Sequence, residues 1–130
     1  MNEKENTVKS RIHYGTDSLD LTIPTDIVKS KKVNPGDVFR LIVKEEKGNL
    51  VLQYERVYKT KTWRGWILIG AKAAQPGPTE GVSANSLDLT IPTDIIKSKK
   101  INPGDVFQLI VKGNPGNLIL QYERVYKTNA

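Results

Sequence analysis

The sequence predicts a mainly β fold with short helices, and three observations carry this prediction. Residues 18–60 and 86–128 repeat each other without a gap, and only seven of these 43 positions differ. Within each copy, short runs alternate apolar and polar residues, which is the period of a half-buried strand. Pro-Gly and Gly-Asn pairs separate these runs and are typical of turns. The chain therefore reads as two small β units of nearly identical sequence.

The repeat opens with a strand followed by a short helix. Apolar residues occupy every second position of 19–23, and the proline that follows ends this strand. Thr25 is then expected to cap a helix that runs to about Lys31, with an acidic first turn and a basic last turn. A helix this short is not stable alone, so we expect it to dock through Ile27 and Val28.

A tight turn and a β-hairpin complete the repeat. Residues 34–37 read Asn-Pro-Gly-Asp, which predicts a type II turn because proline presets φ and glycine accepts a positive φ. Residues 38–44 are a predicted strand, and residues 50–58 are its return strand. Gly-Asn at 48–49 is the expected turn between them, and in the second copy residues 113–117 take that place.

The segment upstream of each repeat supplies one further predicted strand. Residues 7–15 align weakly with residues 62–70, at an offset of 55, and this alignment requires a loop insertion at about 71–85. The domain organisation is then two β-β-α-β-β units, 1–60 and 61–130. Each unit has roughly 45–55 residues, near the lower limit for a stable core, so we expect the two to form one shared domain with pseudo-two-fold symmetry.

Composition excludes several classes of protein. The chain has no cysteine and a single histidine, and it lacks the nucleotide-binding, metalloprotease and hydrolase motifs, so we expect neither an enzyme nor a cofactor nor a metal site. The longest apolar run, residues 66–69, is far too short to span a membrane, and the polar N-terminus predicts a cytoplasmic protein. The net charge of +6 favours polyanionic partners, DNA first among them.

The order of two short motifs resembles a known family. Ser-Leu-Asp-Leu-Thr-Ile-Pro at residues 18–24 is followed by Asn-Pro-Gly-Asp-Val at 34–38, and both recur at 86–92 and 102–106. This order is similar to that of the AbrB/SpoVT/MazE family of swapped-hairpin, or looped-hinge, DNA-binding proteins. The resemblance implies a swapped-hairpin β-barrel, here a single-chain pseudo-dimer. It also implies a transcriptional regulator that binds double-stranded DNA.

The resemblance implies a basic DNA face built from the first hairpin and the helix. The corresponding residues are Lys9, Arg11, His13 and Arg64 on the upstream strands and Lys29 and Lys97 on the helices. With Lys31, Lys32, Lys99 and Lys100 the helix lysines form two clusters, which either bind phosphate or only solubilise the helix ends and complement the helix dipoles. Asp20 and Asp88 stand where many relatives carry a basic residue, and a carboxylate repels phosphate. We expect these two to be solvated strand carboxylates; the alternative is a facing acid pair near the two-fold axis.

A second class of function stays open at this point. The chain can be a protein-interaction module, either antitoxin-like or an adaptor, with little or no DNA binding. Only Asn129 and Ala130 follow the expected last strand, so no toxin-wrapping tail is expected and a toxin partner is disfavoured. The second hairpin is more apolar than the first, which makes it a candidate patch for self-association. A nonspecific chromatin-like protein differs from the regulator only in its specificity.

Overall fold

The computed structural model describes residues 6–13, 17–57, 66–73, 86–114 and 116–128. This part of the chain is mainly β with few helices, as the sequence predicts, and its larger sheet is curled into a half-barrel. The elements in chain order are β1 (Asn6–Lys9), β2 (Arg11–Ile12), β3 (Leu19–Ile23), α1 (Thr25–Ser30), β4 (Val38–Glu46), β5 (Asn49–Val57), β6 (Ile67–Gly70), β7 (Lys72–Ala73), β8 (Leu87–Ile91), α2 (Thr93–Lys99), β9 (Val106–Asn114) and β10 (Asn117–Tyr126).

Two antiparallel sheets join the two copies of the repeat. The six-stranded sheet has the order β1-β9-β10-β5-β4-β6, and the four-stranded sheet has the order β2-β3-β8-β7. In the centre of the larger sheet Gln53 lies opposite Gln121, and in the smaller sheet Leu21 lies opposite Leu89. Each of these pairs joins equivalent residues of the two copies. A local two-fold axis therefore passes through the middle of both central strand pairs.

The segment upstream of each repeat crosses from one sheet to the other at a single residue. Ser10 separates β1, which pairs with β9 of the second copy, from β2, which pairs with β3 of its own copy. The Ser10 amide donates to the Asp105 carbonyl at 2.9 Å, and the Gly104 amide donates to the Ser10 carbonyl at 2.9 Å. Ala71 makes the same two bonds with the Pro-Gly-Asp turn of the first copy. Each crossing therefore docks on the other copy's turn.

The strand pairing corrects the predicted alignment of the upstream segments. Lys9 lies opposite Val106, and Gly70 lies opposite the equivalent valine of the first copy, so the true offset is 61 and the offset of 55 was wrong. The offset of 55 had aligned identical Thr, Ile and Gly residues in the two segments. In the structure Val8 and Ile69 occupy equivalent positions, and both are buried. Residues 72–73 form β7 and not a loop; residues 74–85 of the expected insertion lie outside the described residues.

One hydrophobic cluster contains buried residues of both copies. At its centre the rings of Tyr54 and Tyr122 meet edge to face, with centroids 5.7 Å apart and an angle of 87° between the planes. Both side chains are fully buried. Ile27 and Val28 of α1 pack against the same cluster, which confirms the predicted docking of the helix. Neither copy's core is therefore complete without the other.

The start of α1 differs from the prediction. Pro24 occupies the cap position, its carbonyl accepts the amides of Ile27 and Val28 at 3.0 Å, and no side chain caps the helix. The predicted capping by Thr25 was wrong because the proline already provides the extended cap conformation one residue earlier. The Thr25 hydroxyl is instead buried with no hydrogen-bond partner among the described residues.

The turns follow the expected backbone rules. Gly36 has a φ of +93°, and the Asp37 amide donates to the Asn34 carbonyl at 3.0 Å, which confirms the tight Pro-Gly turn. The first hairpin turns at Lys47 and Gly48, both with positive φ, so it is a type I′ turn one residue earlier than the expected Gly-Asn pair.

Candidate nucleic-acid interface

The polar face of the four-stranded sheet is built from alternate residues of β3 and β8. In the register of these strands Asp20 lies opposite Thr90, and Thr22 lies opposite Asp88. The Thr90 hydroxyl donates to Asp20 Oδ1 at 2.9 Å, and the Thr22 hydroxyl donates to Asp88 Oδ1 at 2.9 Å. Both bonds cross from one copy to the other, so each threonine orients the carboxylate of the opposite copy.

Cations from the two outer strands complete this arrangement. Arg11 on β2 forms an ion pair and a hydrogen bond with Asp88, and Lys72 Nζ on β7 lies 3.8 Å from Asp20 Oδ1. Arg11 and Lys72 occupy equivalent positions, because each lies opposite the aspartate of its own copy in the strand register. Each nevertheless contacts the aspartate of the other copy. We call the set the central polar network; its members are Arg11, His13, Asp20, Thr22, Lys72, Asp88 and Thr90.

His13 makes the central polar network unequal on its two sides. Its Nδ1 lies 2.8 Å from Asp20 Oδ2 and 2.9 Å from Lys72 Nζ. A protonated Nδ1 donates a hydrogen bond to Asp20, whereas an unprotonated Nδ1 accepts one from Lys72. The two bonds therefore cannot form at the same time. Asp20 therefore lies within contact distance of a lysine, a histidine and a threonine, whereas Asp88 contacts an arginine and a threonine.

Burial of the two aspartates overturns one expectation from the sequence. Asp20 and Asp88 are only 6% and 2% exposed, so the reading of solvated strand carboxylates was wrong. The two carboxylates are instead contacted by side chains of the edge strands, by Arg11 at Asp88 and by Lys72 at Asp20. Desolvation raises the pKa of the Asp88 carboxyl and outweighs Arg11 and Thr22, which both favour the charged form. The charge of each aspartate is thus matched within the protein.

The helix lysines stand at the C-terminal ends of the two helices. Four of them are exposed, Lys29, Lys32, Lys97 and Lys100, while Lys31 and Lys99 are half-buried. Lys29 lies in the last turn of α1, and Lys97 and Lys99 lie in the last turn of α2, which confirms the predicted match to the helix dipole. Lys99 Nζ also lies 3.3 Å from a Glu45 carboxylate oxygen.

Two arginines that were not predicted from the sequence form hydrogen bonds with both the C-terminal end of a helix and the Pro-Gly-Asp turn that follows it. Arg56 Nη1 donates to the Lys32 carbonyl at 3.1 Å and to Asp37 Oδ2 at 3.3 Å. Arg124 makes the equivalent contacts in the second copy. The available signal was periodicity, since Arg56 follows the buried Tyr54 by two residues and so lies on the inward face of β5. A cation at an inward position of a strand has to find buried acceptors.

The upstream-strand cations and the helix cations of the first copy line two depressions that share one residue. A depression beside β1 is lined by Lys9 and Arg11, and a second one beside α1 is lined by Lys29 and Lys32. Ser86, the residue that precedes β8, lines both depressions. Four of the ten predicted residues line this pair of depressions.

The remaining predicted residues divide into three groups. His13 belongs to the central polar network, as Arg11 also does, and their side chains are 30% and 15% exposed. Lys31 lies at the end of α1, and Lys97, Lys99 and Lys100 lie at the end of α2. Arg64 lies outside the described residues.

The chain matches no protein-family model, and it matches none of the curated proteins or solved structures with which it was compared. Within the described part of the chain, no three or more His, Cys, Asp or Glu side chains are grouped closely enough to hold a metal ion. No described helix is both long and apolar enough to cross a membrane.

Proposed function

We propose that this chain binds double-stranded DNA as a transcriptional regulator of the AbrB-like, swapped-hairpin type. The observation that carries the proposal is a pair of depressions that share Ser86, one lined by Lys9 and Arg11 and the other by Lys29 and Lys32, with no acidic residue in either lining. These are the two regions, first strand and helix, that the family resemblance assigns to DNA. Lysine and arginine side chains of this kind bind the phosphate backbone, and the net charge of +6 adds long-range attraction.

The central polar network supports the proposal by removing an objection. An aspartate at the position of Asp20 or Asp88 would repel DNA if it faced solvent. Both carboxylates are buried and matched by Arg11, Lys72 and the two threonines. Little unbalanced negative potential is therefore left on this side of the molecule.

The exchange of upstream strands supports the pseudo-dimer part of the proposal. The β1 strand leaves its own copy and pairs with β9 of the other, and β6 leaves its copy and pairs with β4. Proteins of the resembled family exchange hairpins between two subunits. A duplicated chain that makes this exchange internally presents two half-surfaces to DNA, as a dimer does, and these are alike at the helices but differ at the upstream strands.

Paired lysine substitutions test the proposal. The test variant is Lys29→Gln with Lys97→Gln, which removes one exposed cation from each helix. The matched control is Lys44→Gln with Lys112→Gln, which removes one exposed cation from each of the equivalent strands β4 and β9. DNA affinity is measured by fluorescence anisotropy on short mixed-sequence duplexes at two salt concentrations.

We expect the helix variant to weaken binding by about 1–2 kcal/mol, and to reduce the salt dependence by about two phosphate contacts. The strand control removes the same charge and should change affinity much less. Equal losses in the two variants would mean that net charge alone drives binding. No loss in either would remove the helix ends from the DNA surface.

The second candidate is an interaction module that self-associates through β6. Among the described strands, β6 is the last of the six-stranded sheet and so forms one of its edges. Its residues Ile67 and Leu68 are 39% and 44% exposed. Edge strands with exposed apolar residues pair with other edges. A second copy of the chain offers the same edge, which suits an isologous contact. Size-exclusion chromatography with light scattering on wild type and on Leu68→Lys decides this point.

A further inference from the structure

The depression beside β1 combines positively charged and hydroxyl side chains. It has a volume of about 350 Å³ and is lined by Thr7, Val8, Lys9, Arg11, Thr22, Pro24, Thr25 and Ser86. Four of these eight residues carry hydroxyl groups and two carry positive charge, but none carries negative charge. Hydroxyl and cationic donors converging on one concave site are typical of an anion-binding pocket.

Thr25 provides a second observation at the same place. Its hydroxyl is buried and has no hydrogen-bond partner among the described residues. A buried hydroxyl without a partner destabilises the fold unless a ligand or a water molecule forms a hydrogen bond with it. The hydroxyl belongs to a residue that lines the pocket and can donate to a bound oxygen atom.

The two copies are unequal at the wall formed by the upstream strand. With the offset of 61, Leu68 stands in the second copy where Thr7 stands in the first, and Gly70 stands where Lys9 stands. The residues that line the opposite side of the depression in the first copy, 22–25, are identical to residues 90–93 of the second copy, where Thr93 is the equivalent of Thr25. The second copy therefore keeps the threonine but lacks both the lysine and the upstream hydroxyl.

We propose that the depression beside β1, the strand-edge pocket, binds a phosphate group through Lys9, Arg11 and the hydroxyl of Thr25. The lysine supplies a mobile charge, and the arginine supplies a planar set of N–H donors that can bridge Asp88 and a second anion. The bound group is either a phosphate of the DNA backbone or that of a small phosphorylated ligand. The equivalent place in the second copy does not bind it.

The test uses inorganic phosphate as the probe and the full-length chain. Backbone amide shifts are followed by NMR as phosphate replaces chloride at constant ionic strength. We expect saturable shifts at residues 7–11 and 22–25, and none of similar size at 68–72 and 90–93. Shifts of equal size in both sets, or no saturable shift, would overturn the proposal.

Matched variants make the test specific. Lys9→Gln should weaken phosphate binding about tenfold, and Thr25→Val about fivefold, because each removes one donor. The controls are Thr93→Val, at the equivalent place, and Lys112→Gln, an exposed lysine on β9. Neither control should alter phosphate affinity. Thr25→Val should also leave stability unchanged or raised, since it removes a hydroxyl without a partner; a Thr25→Val variant that binds phosphate as wild type does would contradict the assignment.

A DNA titration of Thr25→Val then separates the two sources of phosphate. A loss of affinity for both inorganic phosphate and DNA assigns the pocket to the DNA backbone. A loss for phosphate with unchanged DNA affinity assigns it to a small phosphorylated ligand. If the wild-type chain binds phosphate in the pocket but does not bind DNA, the regulator proposal fails while the phosphate site stands.

Discussion

Tyr54 and Tyr122 are equivalent residues of the two copies, and each donates its hydroxyl hydrogen bond to a backbone carbonyl of the other copy. The Tyr54 hydroxyl donates to the Thr90 carbonyl at 3.1 Å, and the Tyr122 hydroxyl donates to the Thr22 carbonyl at 3.0 Å. Burial raises the pKa of both phenols well above the usual value, so both act as neutral donors. This reciprocal contact ties the larger sheet to the smaller one across the repeat boundary.

Removing either hydroxyl should have the same cost. Tyr54→Phe and Tyr122→Phe should each lower the free energy of unfolding by about 1 kcal/mol, because each leaves one buried carbonyl without this donor. Urea unfolding measures the change, and Tyr126→Phe, at an exposed tyrosine on β10, serves as the control. A large difference between the two core variants would contradict the two-fold equivalence of the contact.

The shared core predicts how the separated halves behave. Residues 1–60 and 61–130, expressed alone, should dimerise or fail to fold, because the central pairs β3–β8 and β5–β10 each need one strand from either copy. The whole chain should be a compact monomer near 14.6 kDa. Circular dichroism and light scattering measure both properties. A stably folded monomeric half would contradict the shared core.

The two outer cations of the central polar network should differ in their effect on stability. Arg11→Ala leaves Asp88 buried without its ion-pair partner and should cost about 3 kcal/mol. Lys72 is 40% exposed, so Lys72→Ala should cost below about 1 kcal/mol. Adding Asp88→Asn to Arg11→Ala should recover part of the loss. Equal costs for Arg11→Ala and Lys72→Ala, measured by urea unfolding, would contradict this account.

Asp88 should make stability depend on pH in a defined direction. A carboxyl whose pKa is raised on folding binds its proton more tightly in the folded than in the unfolded chain. Its contribution is therefore present at low pH and is lost as the pH rises from the unfolded value of about 4 through the raised folded value. Asp88→Asn mimics the protonated form, so wild type should lose stability relative to this variant across that window. The opposite trend would mean that Arg11 outweighs desolvation.

Much of the fold could be predicted from the sequence because local rules and tertiary contacts agree there. The strand at 19–23, the Pro-Gly turn and the docking of Ile27 and Val28 all follow from periodicity and backbone preference. The upstream strands could not be aligned, because both are short and differ in character: β1 is largely polar, whereas β6 is apolar. Their register is set by contacts with the other copy's turn, through Ser10 and Ala71.

The candidate site was less predictable for a related reason. Asp20 and Thr22 alternate with apolar residues, and such alternation normally marks a face in water. Only the structure shows that Arg11 on β2 and Lys72 on β7 contact the two buried aspartates. Arg11, singled out for phosphate, thereby gains a carboxylate partner that is 77 residues away in the chain. An ion pair between residues so far apart in the chain cannot be predicted from local sequence patterns.

The central claim is that the basic surface binds DNA, and a salt titration of the wild-type chain tests it most directly. Affinity for a short mixed-sequence duplex is measured by fluorescence anisotropy from about 50 to 200 mM salt. With four to eight phosphate contacts, we predict that log K falls linearly with log salt with a slope of about −4 to −7. No binding at the lowest salt concentration, or an affinity that does not change with salt, would contradict the claim.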